Sequence, residues 1–403
     1  MMDRTTSAYL IREYGSPLYV FDEAGFRENY RRLEQTFRRY YSNYQISYSF
    51  KTNYTPYIAA TVKQLGGYAE VVSGMEYHIA RQIGYDDEKI IFNGPNKKEA
   101  GRNAFLSGCM LNADSLQELE ELCRLSEAHP ERSFEIGIRV NLDIGQNFIS
   151  RFGMDPRDLD TAFNLVRKVP NLEITGLHCH ISRCRGLSAW QKRTEFMLSL
   201  ADRYFLVPPK YIDLGSGMFG DMAPEFAAQF SDVPTYEEYA QVTAQIVASH
   251  YEGSDAKPVL FTEPGTTLVN KFVDFLATVD VIKQIRGETF AVLDCSEHNL
   301  GETCTLKELP VTVISNSPGR HYSPVHLVGY TCLEQDVMRK NLQCELAVGD
   351  TVVFGNVGGY SNVLKPPFIW PNCRMVTFDA QTGQSKIIKE AESYADVLHT
   401  YVF

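Results

Sequence analysis

Apolar and polar positions alternate through the first two thirds of the chain in a pattern that predicts strands separated by helices. Short runs of β-branched and aromatic residues recur, and helical spacing of apolar residues follows each run. The eight predicted strands cover residues 45–50, 68–72, 90–92, 110–112, 134–140, 174–178, 211–214 and 258–262. The helices between them are predicted at residues 56–65, 74–83, 97–106, 115–127, 156–168, 188–204 and 235–251. This alternation favours a (β/α)8 barrel over an open sheet.

The two ends of the chain have a different pattern. Residues 1–26 hold one predicted strand at 17–21, and a helix begins near Glu23. After about residue 270, predicted strands follow one another without long helices, at 273–282, 289–293, 311–314, 325–328, 351–354 and 374–378. We therefore predict an α/β protein with a barrel domain at residues 27–270. A mostly antiparallel β domain at residues 271–403 follows it, joined by the N-terminal segment 1–26.

Composition narrows the class of protein and its compartment. The 403 residues are 44% apolar and carry a formal net charge of −11, which makes nucleic acid or an anionic membrane a poor partner. Nine cysteines without a CxxC pair suit reduced thiols better than a disulfide framework. The first residues form no apolar signal region, and no run of about 18 apolar residues occurs. We expect a cytoplasmic protein with a small-molecule substrate.

Residues that can carry chemistry follow the predicted strands, where (β/α)8 barrels place their active sites. Lys51 ends the first strand, and two interpretations of it stay open. Its stem lies along the core with the head in solvent, or its amine is a nucleophile for Schiff-base chemistry. Further candidates end the later strands: Glu70 and Ser73, Asn93-Gly94, His178-Cys179-His180, Gly215-Ser216-Gly217, and Glu263-Pro264-Gly265.

Two of these motifs have rival interpretations. Residues i and i+2 of a strand share a face, so His178 and His180, with Cys184 nearby, have the spacing of metal ligands. A metal-dependent hydrolase is the competing hypothesis, although no further His or Asp cluster at a strand end completes a ligand set. Gly215 and Gly217 allow backbone N–H groups to approach a phosphate, but a plain tight turn has the same pattern.

Taken together, these motifs resemble the fold-type III pyridoxal-phosphate-dependent decarboxylases of the diaminopimelate and ornithine decarboxylase family. The resemblance covers nearly the whole chain, and its specificity lies in the order of the motifs. They are YSFKTN at 48–53, EVVSGME at 70–76, NGPNK at 93–97, NADS at 112–115, SRFG at 150–153, GLHCHI at 176–181, DLGSG at 213–217, EPG at 263–265, GYTCLEQD at 329–336 and GGYS at 358–361.

The resemblance implies pyridoxal 5'-phosphate as cofactor and assigns roles to particular residues. Lys51 would hold the cofactor as a Schiff base, His180 would stack on its ring, and Glu263 would face the pyridine nitrogen. Cys332, from the β domain of a partner subunit in a homodimer, would return a proton after carbon dioxide leaves. The full predicted cofactor-binding set is Lys51, His180, Gly215, Ser216, Gly217, Glu263, Gly265, Thr266 and Tyr360.

Four positions depart from the family pattern, and they bear on the substrate. Ser216 replaces a glycine, Thr266 the arginine after Glu-Pro-Gly, Ser182-Arg183 a Gly-Ser pair, and Leu333 the acidic residue after the cysteine. In the diaminopimelate decarboxylases that arginine and that acidic residue read the distal end of the substrate. We therefore predict decarboxylation of an α-amino acid other than meso-diaminopimelate, such as an intermediate of siderophore, antibiotic or polyamine synthesis. Its distal groups would meet Arg183, Glu334 and Asp336.

Two alternatives share the fold. A racemase or epimerase would use the same cofactor with proton transfer on both faces, and a protonated pyridine ring opposite Glu263 favours decarboxylation instead. A catalytically silent relative that binds a partner protein would not need Lys51, Glu263, Cys332 and Tyr360 together.

Overall fold

The computed structural model describes residues 2–315 and 320–403, and the chain divides into two compact units. One unit consists of Arg27–Gly220 and Asp232–Thr267. The other consists of Met1–Phe26, Asp221–Ser231 and Leu268–Phe403. Residues 221–231, which the sequence pattern places within the barrel, thus group with the second unit.

The first unit is a closed parallel barrel, as the sequence predicts. The chain reaches it through α1 (Arg4–Tyr14), β1 (Leu18–Phe21) and α2 (Glu23–Tyr40). Each barrel strand pairs with the next, and β9 pairs with β2 through Ile46 and Thr262 to close the ring. The barrel strands are β2 (Tyr44–Ser49), β3 (Tyr68–Val71), β4 (Ile90–Phe92), β5 (Met110–Ala113), β6 (Phe134–Arg139), β7 (Leu172–His178), β8 (Tyr211–Asp213) and β9 (Val259–Thr262).

Helices follow the barrel strands, and some of them begin at side chains that cap them. Ser73 and Ser115 accept hydrogen bonds from the backbone N–H groups of Glu76 and Glu118, which are otherwise unpaired at a helix start. The helices are α3 (Pro56–Gln64), α4 (Gly74–Ile83), α5 (Lys98–Ser107), α6 (Leu116–Glu127), α7 (Leu159–Val166), α8 (Leu187–Tyr204), α10 (Tyr236–Gln241) and α11 (Ala244–His250), with α9 (Pro224–Ala227) in the second unit. Short 3-10 turns lie at Phe50–Thr52, Asp87–Lys89 and Pro156–Asp158.

The prediction of a single helix at 235–251 is wrong, because the chain leaves the helical conformation at Thr243. That residue has φ −129° and ψ −81°, and its hydroxyl donates to the carbonyl of Tyr239 at 2.6 Å. A threonine hydroxyl that bonds the preceding turn competes with the helix backbone. The result is two short helices, α10 and α11.

The second unit is built on one mixed sheet. Its strands beyond β1 are β10 (Val273–Ile285), β11 (Glu288–Leu293), β12 (Val311–Ile314), β13 (Arg320–Val328), β14 (Val337–Leu346), β15 (Thr351–Phe354), β16 (Arg374–Phe378) and β17 (Ser385–Lys389). Within the described residues the order is β14-β13-β11-β10-β1-β16-β17, with β15 pairing β10 and β12. Most pairs are antiparallel, whereas β1–β16 and β11–β13 are parallel. Short helices complete the unit: α12 (Thr266–Val269) at its border, α13 (Glu297–Leu300), α14 (Glu302–Leu306), α15 (Tyr394–Leu398) and the 3-10 turn Asn270–Phe272.

Among the described residues, the elements that were not predicted from the sequence include the helix α1, the strands β14 and β17, and the short helices α9, α12, α13, α14 and α15. In the part of the chain that the structure describes, no helix is long and apolar enough to cross a membrane.

Candidate active site

Lys51 lies at the carboxyl end of the first barrel strand, in the 3-10 turn Phe50–Thr52. Its Nζ is 2.5 Å from Oε2 of Glu70, which lies near the carboxyl end of the neighbouring strand β3. The side chain of Lys51 is 33% exposed and that of Glu70 is 1% exposed. Ser49 also donates to Glu70 Oε2, at 2.6 Å. The amine is therefore held at the mouth of the barrel by a buried carboxylate and remains accessible to a ligand.

A buried chain of polar side chains links Glu70 to Glu263 across the barrel interior. Asn93 Nδ2 donates to Glu263 Oε1 at 2.5 Å and lies 3.3 Å from Glu70 Oε1. Asn112 Nδ2 donates to Asn93 Oδ1 at 2.9 Å, and the hydroxyl of Tyr211 donates to Asn112 Oδ1 at 2.7 Å. Because every member is hydrogen-bonded, the network fixes the orientation of both carboxylates.

Glu263 also belongs to a cluster with His178 and Asp213, whose potential ligand atoms lie within 4.8 Å of one another. His178 Nε2 is 3.3 Å from Glu263 Oε2. Burial and the neighbouring Glu263 raise the pKa of Asp213 well above its usual range. Burial also acts to raise the pKa of Glu263, but the neighbouring His178, which hydrogen-bonds it, and the charge of Lys51 outweigh burial and hold that pKa far below its usual range. Glu263 is thus the ionised carboxylate of the pair, and Asp213 carries the proton.

This cluster corrects the metal-ligand hypothesis from the sequence. Strand β7 ends at His178, so His180 lies beyond the strand and the two residues do not form a pair on one strand face. The expectation that no further His or Asp cluster at a strand end completes a ligand set is also wrong, because Asp213 and Glu263 come from the ends of the next two strands and lie close to His178.

His180 and the glycine loop 215–217 contact each other directly. The backbone N–H of Ser216 donates to His180 Nδ1 at 3.1 Å, and the N–H of Gly215 donates to Asp213 Oδ1 at 2.8 Å. A Cβ on Gly215 would lie 2.5 Å from the carbonyl oxygen of Cys179, so only glycine fits. Burial, then the charge of Lys51, lower the pKa of His180 well below its usual value. His180 is therefore a neutral ring.

The loop after β9 packs against the Lys51 turn. A Cβ on Gly265 would lie 2.0 Å from Oγ1 of Thr52, and the N–H of Ser49 donates to the carbonyl of Pro264 at 3.4 Å. Thr266 follows as the first residue of α12 and is half-buried. This close approach brings the segment carrying Glu263 beside the segment carrying Lys51.

Two buried arginines stand near these loops and were not singled out from the sequence. Arg139, the last residue of β6, has its guanidinium 4.8 Å from the ring centre of Phe152 and 3.5 Å from Asp114. Arg193, in α8, is fully buried and hydrogen-bonds carbonyl groups of the glycine loop. Neither carries a sequence motif of its own; only their burial marks them. By contrast, the predicted substrate contact Arg183 is exposed, with φ +67°.

The remaining predicted site residues lie in the second unit. Cys332 is an exposed free thiol, and Glu334 is also exposed. Asp336 is buried, and its carboxylate accepts hydrogen bonds from the N–H of Glu297 and from the N–H and hydroxyl of Thr331. Asp336 thus secures the turn that carries Cys332, and its contact with a substrate stays a prediction.

Tyr360 has a left-handed backbone, φ +55°, and its carbonyl oxygen would lie 2.5 Å from a Cβ on Gly301. Its predicted contact with phosphate stays a prediction.

The described groups fit pyridoxal phosphate. An accessible amine stands at the barrel mouth, an ionised carboxylate suits a protonated ring nitrogen, and a neutral imidazole suits stacking on an aromatic ring. In the described part of the chain, the backbone N–H of Gly217 has no hydrogen-bond partner, which suits an incoming anion.

Comparison with known proteins gives the same class. Residues 24–270 match the family model of the pyridoxal-dependent decarboxylases, described as the pyridoxal binding domain. Diaminopimelate decarboxylase of Methanothermobacter thermautotrophicus is 27% identical, covering 96% of this chain and 92% of the relative. The enzyme of the same name from Aquifex aeolicus is 25% identical, covering 96% and 91%.

Two solved structures share the fold. Diaminopimelate decarboxylase from Helicobacter pylori, complexed with L-lysine, has a TM-score of 0.82 at 21% identity, covering 97% of this chain and 98% of that chain. Lysine/ornithine decarboxylase from Vibrio vulnificus, complexed with putrescine, has a TM-score of 0.78 at 19% identity, covering 93% and 98%.

The fold and the cofactor class define a pyridoxal-phosphate-dependent amino-acid decarboxylase, which is a lyase. The chain belongs to the pyridoxal-dependent decarboxylase family.

Proposed function

We propose that this chain decarboxylates an α-amino acid other than meso-diaminopimelate, with Lys51 binding the cofactor covalently and Cys332 returning the proton. The observation that carries the proposal is that Lys51 is held by a buried carboxylate while two positions proposed to read the substrate carry uncharged residues. Lys51 keeps a buried carboxylate partner in Glu70, whereas Thr266 and Leu333 stand where the family has charged residues.

Pyridoxal phosphate supplies an electron sink for the carbanion left when an α-carboxylate departs as carbon dioxide. We assign the cofactor to the barrel domain, residues 27–270. Glu263, ionised and fixed by Asn93, would hold the ring nitrogen protonated. The neutral ring of His180 would pack on the cofactor, and the backbone of the 215–217 loop would bind its phosphate, with Gly265, Thr266 and Tyr360 as further neighbours.

Electrostatics limits which substrates the site can accept. A charged group that leaves water without finding an opposite charge meets a large penalty. Thr266 is half-buried and uncharged, and Leu333 is half-buried and apolar, so neither side chain compensates a charge at the distal end of diaminopimelate. The relatives named above match nearly the whole chain, but substrate choice depends on single side chains in the site.

Return of the proton needs an acid, and we assign this role to Cys332 on the turn Thr331–Asp336. Cys332 is exposed there, and Asp336 fixes the turn with three accepted hydrogen bonds. An exposed thiol with no other assigned role in the described residues suits a site completed by a second copy of the chain. We therefore extend the proposal to a homodimer with shared active sites, in which Cys332 serves Lys51 of the partner copy.

The test is a side-by-side measurement of kcat/KM. Purified protein saturated with pyridoxal phosphate is given diaminopimelate, lysine, ornithine and larger amino-acid conjugates, with carbon dioxide release and product mass as readouts. The Lys51→Ala variant is the control for uncatalysed loss. The proposal expects turnover of at least one other amino acid to exceed that of diaminopimelate. Efficient and preferred decarboxylation of diaminopimelate would contradict it.

A further inference from the structure

Arg193 is a buried cation behind the glycine loop. It lies in α8 with no exposed surface, and its Nη1 donates to the carbonyls of Leu214 at 3.0 Å and Ser216 at 3.1 Å. Its Nη2 donates to the carbonyl of Cys184 at 3.3 Å, and its guanidinium lies 4.1 Å from the ring centre of Trp190. One side chain therefore fixes the backbone on both sides of Gly215.

Among the described residues, the charge of Arg193 has no anionic partner. Among residues 2–315 and 320–403, no carboxylate lies within 4.0 Å of its nitrogens, and its Nε has no hydrogen-bond partner. A buried charge without a counter-charge is destabilising, and carbonyl dipoles and an aromatic face offset only part of that cost. An anion bound at the adjacent loop would supply the missing compensation.

The same contacts orient the loop. In a trans peptide the N–H points away from the carbonyl of the preceding residue. Because the carbonyls of Leu214 and Ser216 face Arg193, the N–H groups of Gly215 and Gly217 point to the opposite side. Asp213 accepts the N–H of Gly215 at 2.8 Å, whereas that of Gly217 has no partner among the described residues. Arg193 thus fixes the Gly217 N–H on the side of the loop away from α8.

We propose that Arg193 is a positioning residue for the cofactor phosphate, orienting the 215–217 loop and supplying positive charge from behind it. This role rests on the proposed use of that loop for the phosphate.

The test compares two ligands that differ only in the phosphate. Dissociation constants of pyridoxal phosphate and of pyridoxal are measured on the full chain by absorbance titration, for wild type, Arg193→Met and Arg193→Lys. Arg203→Met is the matched control, because Arg203 is on the same helix but is exposed and pairs with Asp160. Melting temperatures of the cofactor-free proteins report folding.

We expect Arg193→Met to raise the dissociation constant of pyridoxal phosphate by roughly 10- to 100-fold, the size expected for a charge-assisted contact, and that of pyridoxal much less. Arg193→Lys should fall between wild type and Arg193→Met, and Arg203→Met should match wild type. Equal weakening of both ligands would reduce Arg193 to a structural role and overturn the inference, as would no weakening of either.

A second measurement tests the inference if Arg193→Met folds poorly. Inorganic phosphate should raise the melting temperature of the wild-type chain without cofactor more than that of Arg193→Lys; equal increases would overturn the inference. Failure of the proposed function would look different: cofactor affinities would follow the expected pattern, but diaminopimelate would be the preferred substrate or no amino acid would be decarboxylated.

Discussion

The Nζ of Lys51 lies 2.5 Å from Oε2 of Glu70, and the two side chains come from the ends of adjacent barrel strands. The carboxylate is buried on the interior side, and the amine reaches the accessible side. A buried carboxylate that has lost its cationic partner is destabilising, so this pair defines where a positive charge is preferred in the site.

Reduction of the holoprotein with borohydride should therefore attach the cofactor to Lys51, because this amine is both accessible and oriented. Peptide mass mapping should find the label on Lys51 and on no other lysine; the buried Lys97, paired with Glu118, is an internal comparison. Lys51→Ala should carry no label. A label on another peptide would assign the covalent site elsewhere.

Glu70→Gln tests the partner of that lysine. The variant keeps a hydrogen-bonding group but removes the charge, so we expect cofactor affinity to fall by roughly 10-fold. Ser49→Ala, which removes a neutral donor to the same carboxylate, is the control and should have a smaller effect. Equal effects of the two substitutions would show that the charge of Glu70 is not what holds the amine.

A pH-dependent stability difference is expected from Glu76, the buried carboxylate in the first turn of α4. Burial raises the pKa of Glu76 from 4.5 to about 7. Between these values the folded protein keeps a proton that the unfolded chain has lost, so stability falls as pH rises. Glu76→Gln, which can still accept the N–H of Val72, removes this loss. The difference in free energy of unfolding between the variant and wild type should therefore shift in favour of the variant by on the order of 3 kcal/mol between pH 4.5 and pH 7.

Melting temperatures across pH 4 to 8 provide the measurement, and Glu238→Gln is the control with opposite sign. Glu238 occupies the same position in α10 but is exposed, and hydrogen bonds from Thr235 lower its pKa. The ionised Glu238 stabilises the folded protein at neutral pH, and this stabilisation is lost as pH falls. Glu238→Gln should therefore lower the stability of the protein only at the higher pH. Parallel curves for Glu76→Gln and wild type would contradict the prediction.

The barrel could be predicted from the sequence because its strands are short apolar runs with helices of regular spacing between them. Helix α1 was missed because Arg4–Tyr14 buries only Ser7 and Leu10; its start depends on the side chain of Asp3, which accepts the N–H of Thr6. Strand β14 was missed for a similar reason, since its buried and exposed positions do not alternate regularly. Local pattern predicts elements with one strongly apolar face and fails for these.

The residues of the candidate site also fall into those that the sequence predicts and those that it does not. Lys51, Glu263 and the glycine loop follow strands directly, so their position in the chain identifies them. Asn112 and Arg193 act through partners distant in sequence. Asn112 hydrogen-bonds Asn93 of the neighbouring strand end, and Arg193 hydrogen-bonds the carbonyl of Leu214 from the preceding helix. Such pairings arise from tertiary packing, which a single sequence does not contain.

The proposed role of Cys332 as proton donor gives a kinetic and an assembly prediction. Cys332→Ala should keep cofactor binding and slow turnover by roughly 10²–10⁴-fold, the contribution of a positioned acid. Mixing it with Lys51→Ala under conditions that exchange subunits should restore about a quarter of wild-type activity if sites are shared in a dimer, because half of the dimers are mixed and each has one intact site. No recovery after verified exchange would contradict shared sites, and full activity of Cys332→Ala alone would assign the proton donor elsewhere.

The substrate prediction can be tested by restoring the missing charges. Thr266→Arg and Leu333→Glu reintroduce the cation and the anion that, by the resemblance to the diaminopimelate decarboxylases, would read the distal end of diaminopimelate, so the charged groups at that end regain partners. We expect the double variant to raise kcat/KM for meso-diaminopimelate by roughly 10-fold or more relative to wild type, since a paired charge avoids the desolvation penalty. Thr266→Gln with Leu333→Gln, similar in size but uncharged, is the control and should not gain. A wild-type preference for diaminopimelate that the charged pair does not improve would mean that other side chains already read its distal end, and it would remove the basis for excluding this substrate.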